Sequence, residues 1–288
     1  MMMRANPHPE SWRKIPDLGI GVAFRSPIDQ RIRENSDRID WLEIITEDFL
    51  FNARAKDAAL SLAERFPLVP HGVEMSIGGD EEPDPAYLDG VAGLVAALGA
   101  PWFSDHLCFT RAGGVAVGAL VPLSRTRAVA AMVARRAQRV QDYVGVPFLL
   151  ENVSTYIDVG GELTDAEFVT EVLERCDCGM LLDVTNVYNN SVNLRFDPLP
   201  YLEAIPLERV LQVHVAGGTW ANGLLQDNHA ADVHPEAWEL LGYVLPRSAV
   251  RGVLIERDGK LPGDFPAILG DVERARVVCA PAATPASK

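Results

Sequence analysis

Short apolar runs alternate along the chain with longer segments of helical periodicity. The runs are rich in Val, Ile and Leu and are bounded by Gly, Pro or charged residues, which is typical of buried β-strands. Eight such runs occur: Leu18–Phe24, Asp40–Ile45, Pro67–Val73, Ala100–His106, Pro147–Val153, Gly179–Thr185, Arg209–Gly217 and Gly252–Arg257. Their successive residues are apolar because the strands of a parallel sheet are covered on both faces.

The segments between the runs predict eight helices. Asp84 before Pro85 is an N-cap signal, Thr164 and Glu167 have capping-box spacing, and Gly99 is a C-cap glycine. The predicted helices are Asp29–Arg38, Lys56–Arg65, Pro85–Leu98, Ser124–Tyr143, Thr164–Arg175, Pro198–Ala204, Pro235–Leu245 and one near Pro266–Val277. Strict alternation of eight strands with eight helices predicts an α/β fold, a single-domain (β/α)8 TIM-type barrel.

The predicted barrel domain spans residues 18–279. Residues 1–17 are polar and contain proline, which predicts a flexible N-terminus, and the Pro/Ala-rich residues 280–288 predict a disordered tail. The N-terminus has no apolar signal-peptide core, and no apolar run approaches the roughly 20 residues that cross a bilayer. We therefore expect a cytoplasmic protein with no membrane partner.

The charge of the chain excludes one class of partner. Its 288 residues include 26 Lys and Arg against 40 Asp and Glu, a net charge of −14, which repels nucleic-acid phosphates. Bound cations would offset part of this acidity, because carboxylates that hold a metal count as negative in the sequence. The four cysteines are too few for a disulfide framework in a chain of this length and are expected to be structural or incidental.

Histidines and acids recur at the carboxyl ends of the predicted strands, where the active sites of TIM barrels lie. The strand-end residues are Glu43, His71, His106, Glu151, Asp183, His214 and Glu256, and the loop after the seventh strand adds Asp227 and His229. An unpaired ionised carboxylate beside an apolar run is costly, and Lys and Arg are scarce in these runs. A cluster of metal ions is therefore favoured over salt bridges as the partner of these acids.

Imidazole and carboxylate ligands without thiolates suit iron, manganese or zinc. More than four candidate ligands indicate more than one ion, with carboxylates that bridge neighbouring metals. Asn186 lies three residues after Asp183, so a turn at that strand end could bring both side chains to one pocket.

Seven ordered segments resemble the multinuclear non-heme iron-dependent oxidative enzymes, a formerly uncharacterised family that includes the methanobactin-biosynthesis oxygenase. The segments are VPHGVEMSIGG, FSDHLCFT, LLENVSTY, LLDVTNVYNNSVN, QVHVAGGTW, LQDNH and LIERDGKLP. The resemblance covers the chain from Leu18 to about Ala275. The TIM barrel of that family agrees with the count of strands made above.

The resemblance implies a centre of two or three iron atoms, mixed Fe(II) and Fe(III), with O2 as co-substrate. The matching metal positions are His71, His106, Glu151, Asp183, Asn186, His214, Asp227, His229 and Glu256. His214, Asp227 and Glu151 are then the expected catalytic residues, and Glu151 and Asp183 are the leading candidates to bridge two metals. Gly218 departs from the family, since many members carry a further histidine there, and this bears on the occupancy of one iron.

The resemblance also implies a reaction and two partners: oxidation of a residue, most often Cys, in a ribosomally made precursor peptide, with a separate protein that binds the leader segment. Two alternatives stay open on the residues alone. One is a divalent-metal TIM-barrel isomerase or a phosphodiesterase or other hydrolase; the scarcity of basic residues near the mouth argues against a phosphodiesterase, and the lack of a base lysine against an isomerase. The other is a non-enzymatic metal-binding or peptide-binding module.

Overall fold

The computed structural model describes residues 12, 14–50 and 52–280 and confirms the predicted barrel. In chain order its strands are β1 (Gly19–Ala23), β2 (Trp41–Ile45), β3 (Leu68–Gly72), β4 (Phe103–His106), β5 (Cys108–Ala112), β6 (Val115–Pro122), β7 (Phe148–Glu151), β8 (Gly179–Asp183), β9 (Val210–Val215), β10 (Thr219–Ala221), β11 (Leu224–Gln226) and β12 (Gly252–Ile255). The closed parallel barrel has the order β1, β2, β3, β4, β7, β8, β9, β12, and β12 pairs with β1. Each of the eight predicted runs supplies one of these strands.

Helices connect successive strands of the barrel. They are α1 (Asp29–Glu34), α2 (Glu47–Leu50), α3 (Ala53–Ala63), α4 (Pro85–Leu98), α5 (Arg127–Val144), α6 (Asp165–Glu174), α7 (Val184–Leu194), α8 (Pro198–Ala204), α9 (Pro235–Val244) and α10 (Phe265–Cys279). The predicted caps are confirmed: Asp84 caps α4, and Thr164 and Glu167 form a capping box on α6. None of the helices in the described ranges is long and apolar enough to span a membrane.

The pattern of the sequence missed α7. The sixth apolar run predicts a strand as far as Thr185, but β8 ends at Asp183, whose Oδ1 accepts the backbone N–H of Asn186 at 2.8 Å and so caps a helix. The segment is rich in Val and Asn, which are poor helix formers. Packing of Val184 and Val187 in the core therefore decides the conformation here.

Two hairpins occupy the long loops that follow β4 and β9. Antiparallel β5 and β6 fill most of the first loop, and the short pair β10 and β11 begins the second. Both loops start at the carboxyl ends of barrel strands, so the hairpins flank the mouth of the barrel.

The interior of the barrel is filled below the mouth by large apolar side chains. Trp41 and Trp102 meet edge to face with ring centroids 6.2 Å apart, and Val69, Leu149 and Leu181 pack in the same cluster. Gly21 on β1 makes room for this layer, since a Cβ there would lie 2.4 Å from Trp41. The interior is therefore a packed core rather than a pore.

The end of the expected flexible N-terminus is packed against the barrel, which corrects that prediction for part of the segment. Trp12 is 4% exposed and Ile15 is 9% exposed, and both belong to the interior cluster. Trp12 also lies against the guanidinium of Arg209, 5.4 Å from the ring centroid. Residues 1–11 and 13, like residues 281–288 of the expected disordered tail, lie outside the described residues.

Candidate metal centre

On the same strands, a side chain that fills the core is followed two residues later by one that forms the site. Trp41 and Glu43 on β2, like Leu149 and Glu151 on β7, are two residues apart and therefore point to the same side of the strand. The first member of each pair lies in the apolar layer, and the second lies nearer the carboxyl end. Parallel strands thus deliver one ring of polar side chains above a ring of apolar ones.

The polar ring contains overlapping groups of side chains that could each hold a metal ion. Within each group, one ligand atom from every residue lies within 4.8 Å of the others. We call them the first triad (His71, His106, Glu151), the middle triad (Glu151, Asp183, His214), the last triad (Asp183, His229, Glu256) and the Glu43 group (Glu43, His214, Glu256). Glu151 and Asp183, the expected bridging residues, are each shared by two triads.

Glu151 lies at the centre of these contacts. Its Oε2 is 3.3 Å from the Nε2 atoms of both His71 and His106, and its Oε1 is 3.4 Å from Nδ1 of His214. Nδ1 of His214 is also 3.1 Å from Oε2 of Glu256. The first and middle triads therefore form one continuous cluster around a single carboxylate.

The last triad extends this cluster towards the mouth. Nε2 of His229 lies 3.7 Å from Oε2 of Glu256 and 2.9 Å from Oδ1 of Asp227. The backbone of His229 has a φ of 51°, in the left-handed region that a non-glycine residue adopts only when its surroundings hold it there. The loop thus holds the backbone of His229 in a conformation that places the imidazole beside Glu256 and Asp227.

Several polar atoms of the centre are buried without a hydrogen-bond partner of acceptable geometry. They are Glu151 Oε2, Asp183 Oδ2, Asn186 Oδ1, His214 Nδ1, Asp227 Oδ1 and His229 Nε2. Burying one polar atom in this way costs about 1–3 kcal/mol, so six such atoms in one cluster call for a missing partner. All six are oxygen or nitrogen donors of the kind that binds iron, manganese or zinc, so the residues fit a metal centre.

Two of the histidines have their Nδ1 atoms held by neutral groups. Nδ1 of His71 is 2.9 Å from Oγ of Ser104, and Nδ1 of His106 is 3.1 Å from the carbonyl oxygen of Gly72. In both rings Nε2 is left to face Glu151. Such a partner behind a histidine fixes the tautomer and the ring orientation that a metal requires.

Charges in the cluster shift its proton affinities. Burial acts to lower the pKa of His214, but the carboxylates of Glu43 and Glu256 raise it well above its usual range. Burial acts to raise the pKa of Glu151, but His106 and His214 lower it to about 2. A proton on His214 thus compensates the neighbouring acids where no metal does so.

The negative charges of the acids in the last triad are balanced less completely by nearby protonated groups. Burial and the charges of Asp227 and Glu151 raise the pKa of Asp183 well above its usual range. Burial acts to lower the pKa of His229, but Glu256 and Asp227 raise it. An excess of carboxylate charge at this end favours a bound cation.

The structure brings together most of the expected metal positions. His71, His106, Glu151, Asp183, His214, His229 and Glu256 belong to the triads. Asp227 contacts His229, and Asn186 contributes the unpartnered amide oxygen next to Asp183. Of the expected catalytic residues, Glu151 and His214 are buried at the bottom of the site, whereas the side chain of Asp227 is 17% exposed.

Three further residues join the centre. The strand pattern marks Glu43 as an acid at a strand end, but the resemblance does not carry it over as a metal position; its Oε2 is 3.1 Å from Nε2 of His214. Arg25 and Asp258 follow the first and last barrel strands, and Arg25 Nε donates to Asp258 at 2.6 Å. The one feature of the sequence that could have identified Arg25 and Asp258 is that each lies directly after a predicted strand.

Gly218 is enclosed by the second hairpin. A Cβ at this position would lie 2.5 Å from the carbonyl oxygen of Gln226, on β11. A histidine would therefore require the hairpin to move, so the backbone here is built for glycine. No cysteine takes part in the triads of the described residues, and Cys108, two residues after His106, is fully buried with a pKa raised by burial.

These observations define the class of protein: a TIM barrel with a buried histidine and carboxylate centre at the carboxyl ends of its strands. The sequence profile of the RiPP precursor modification enzymes MbnB/TglH/ChrH matches residues 19–280. The chain belongs to this family, which confirms the resemblance seen in the sequence.

Relatives agree with this assignment. A UPF0276 protein of Anaeromyxobacter sp. is 38% identical over 247 residues, which cover 85% of this chain and 87% of the relative. A UPF0276 protein of Caulobacter vibrioides is 35% identical over 267 residues, 91% of this chain and 95% of the relative. A solved D-tagatose 3-epimerase-like protein has a TM-score of 0.62 over 91% of this chain and 98% of its own, at 13% identity, and so shares the fold alone.

Proposed function

We propose that this protein is a multinuclear non-heme iron enzyme that uses O2 to oxidise a residue, most often Cys, of a ribosomally made precursor peptide. Membership of a family of precursor-modifying enzymes supports the substrate class. The observation that carries the proposal is the cluster of unpartnered oxygen and nitrogen atoms around Glu151 and Asp183. A centre with shared carboxylates suits more than one metal ion.

Iron held in this centre would supply redox chemistry with O2 and an open position for a substrate thiolate, which is a good ligand for iron. The protein holds the ligands in place through the strands and excludes water from the bottom of the site, where His214 is fully buried. Among the described residues, no lysine approaches the carboxylates of the triads, and the salt bridge of Arg25 with Glu256 is 3.8 Å long. These acids thus stay available as ligands.

The mouth of the barrel is suited to a peptide. Trp220 on β10 is 60% exposed, and Tyr156 in the loop after β7 is 42% exposed. The hydroxyl of Tyr156 accepts the backbone N–H of Asp227 at 3.4 Å, so this aromatic side chain adjoins the last triad. We propose that the peptide approaches past Tyr156 and Asp227 and that a separate partner protein binds its leader segment.

Mass spectrometry of the precursor peptide, coexpressed with this protein and its leader-binding partner, tests the proposal. We expect a mass change confined to a Cys or its neighbour, dependent on iron and O2. The variant Glu151→Gln should abolish it, because one carboxylate serves the first and middle triads. The matched control is Glu174→Gln, at the end of α6 away from the mouth, which should retain the activity.

Two results would contradict the proposal. One is an unchanged peptide in air with iron-loaded protein and the correct partner; the other is a modification that proceeds equally without O2. Loss of the modification in the Glu174→Gln control as well would show that the Glu151 result reports general damage and not the metal centre.

A further inference from the structure

The four histidines of the metal centre are backed by groups of different charge. Ser104 and the carbonyl of Gly72, which are neutral, lie behind His71 and His106 in the first triad. Carboxylates lie behind the other two histidines: Oδ2 of Asp258 is 3.1 Å from Nδ1 of His229, and Oε2 of Glu43 is 3.1 Å from Nε2 of His214.

The two backing carboxylates are themselves fixed by donors. Arg25 donates to both oxygens of Asp258, from Nε at 2.6 Å and from Nη2 at 3.1 Å. Glu43, which is 3% exposed, accepts from the side-chain amide of Gln212. The oxygen of that amide accepts from the indole N–H of Trp102 at 2.6 Å. Both carboxylates are therefore held in one geometry before any metal binds.

Glu43 orients the imidazole of His214 and does not have to bind a metal ion itself. Nε2 of His214 lies 3.1 Å from Oε2 of Glu43 and can donate to it, whereas Nδ1 has no hydrogen-bond partner and faces Glu151 and Glu256. The imidazole is thus oriented with Nδ1 towards the middle triad. His229 is oriented in the opposite sense, with Nδ1 towards Asp258 and Nε2 towards the last triad.

A carboxylate behind a histidine raises the basicity of the ring more than a neutral acceptor does, and so strengthens its bond to a metal. The acids of the triads add to this difference. The first triad contains one carboxylate, whereas the last triad contains two and has Asp227 2.9 Å from His229. Both effects favour a divalent cation at the same end of the cluster.

We propose that Glu43 and Asp258 are positioning residues that make the metal centre unequal. The middle and last triads, built on His214 and His229, bind the first divalent ions, and the first triad, built on His71 and His106, binds a later and weaker one. This inference rests on the metal centre of the proposed function, but it does not depend on iron, O2 or a peptide.

Titration of metal-free protein with Zn2+, followed by NMR of 15N-labelled histidine side chains, tests the order directly. As the first two equivalents of Zn2+ are added, we expect the signals of His214 and His229 to shift while those of His71 and His106 remain in place. His234, outside the triads, is the internal reference. Movement of the first-triad histidines before the other two, or of all four together, would overturn the proposal.

Variants test the part played by the two carboxylates. Asp258→Asn and Glu43→Gln should each weaken the tighter Zn2+-binding step by about 10–100-fold, measured against a chromophoric chelator. Asp258→Glu, which keeps a carboxylate, should recover part of the loss. Ser104→Ala removes a neutral backing group and should leave the tighter step unchanged.

An unchanged tighter step in both carboxylate variants, or an equal loss in Ser104→Ala, would refute the assignment of these roles. Circular dichroism of each metal-free variant shows whether it folds. Should a variant not fold, the NMR titration of the unaltered protein still decides the order of binding. Because neither measurement uses O2 or peptide, failure of the oxidation reaction would leave this result standing, and the reverse also holds.

Discussion

In each imidazole of the metal centre, one ring nitrogen contacts a residue outside the three triads and the other faces the carboxylates of the triads. For His106, the carbonyl of Gly72 takes Nδ1 and leaves Nε2 3.3 Å from Glu151. For His214 the arrangement is reversed, and Nδ1 faces Glu151 and Glu256. The side chains are thus oriented for metal before it arrives, which reduces the conformational entropy lost on binding.

We expect metal binding to release protons at neutral pH. The neighbouring carboxylates raise the pKa values of His214 and His229 well above their usual range against the opposing effect of burial, so we expect both rings to be protonated in the metal-free protein at neutral pH. A metal needs the neutral imidazole and displaces that proton. The apparent affinity should therefore fall as the pH is lowered.

Isothermal titration calorimetry with Zn2+ in buffers of different ionisation enthalpy measures this proton release. The apparent binding enthalpy should change with the buffer in proportion to the protons released. His214→Gln should release fewer protons than the unaltered protein. An apparent enthalpy that is the same in all buffers at pH 7 would contradict the protonated imidazoles.

The metal ligands are easier to recognise in the sequence than the residues that contact the far side of each ligand. Ligands such as His106 and Glu151 share a chemical type and a place at a strand end, so each can be recognised alone. Asp258 gains its role only from contact with His229 and with Arg25, which lies 233 residues away in the chain. No local pattern records such a contact, because closure of the barrel creates it.

At the scale of elements, α7 connects the metal centre to two loops of the mouth, those that follow β7 and β9. Asn190 accepts the backbone N–H of Thr155 at 2.7 Å and donates to the carbonyl of Val153 at 3.0 Å, in the loop after β7. One turn later, Asn193 accepts from and donates to the backbone of Leu225, with both distances 2.9 Å. These asparagine contacts, to backbone on both sides of the helix, add to the packing of Val184 and Val187 in keeping a segment of weak helix formers helical.

Replacing Asn193 with alanine should loosen the β10–β11 hairpin and leave the barrel intact. Both hydrogen bonds of the side chain go to Leu225, and each contributes about 0.5–1.5 kcal/mol. Hydrogen exchange measured by mass spectrometry should become faster in residues 219–226 while β7 and β8 stay protected. Asn190→Ala is the matched control, since it should loosen residues 153–155 and not the hairpin.

Equal protection of residues 219–226 in the Asn193→Ala variant and the unaltered protein would show that the hairpin is held by other contacts. Faster exchange throughout β7 and β8 would instead show that α7 stabilises the barrel itself. The two outcomes separate a role at the mouth from a role in the fold.

At the scale of the whole molecule, the apolar core that stabilises the fold and the candidate metal centre occupy different levels of the barrel interior. Its lower interior is apolar, from Trp12 through Trp41 and Trp102, and its upper interior is acidic. Continuous apolar runs made the eight strands predictable. The hairpins and α7 were not predictable, because contacts with the rest of the fold and not local periodicity hold them in place.

Bound metal should raise the melting temperature of the protein by several degrees. A ligand that binds only the folded state at 100 times its Kd contributes about 2.7 kcal/mol, and about 2–4 °C accompany each kcal/mol in domains of 150–250 residues. Differential scanning fluorimetry at pH 7, with metal and after verified removal by a chelator, measures the shift. Equal melting temperatures would contradict a metal centre that is coupled to folding.

Asp183→Asn should raise the melting temperature of the metal-free protein and reduce the further increase that metal binding brings. Burial, Asp227 and Glu151 raise the pKa of Asp183, and an acid whose pKa is higher in the folded state costs stability as the pH rises above its unfolded value near 3.9. The amide removes this cost, and its oxygen can still accept the N–H of Asn186 because Asn and Asp are comparable N-caps. The metal-free variant should therefore melt higher than the metal-free unaltered protein, and its gain from metal should be smaller. A lower melting temperature without metal would show that the carboxylate stabilises the empty centre, and that its place between the middle and last triads is structural.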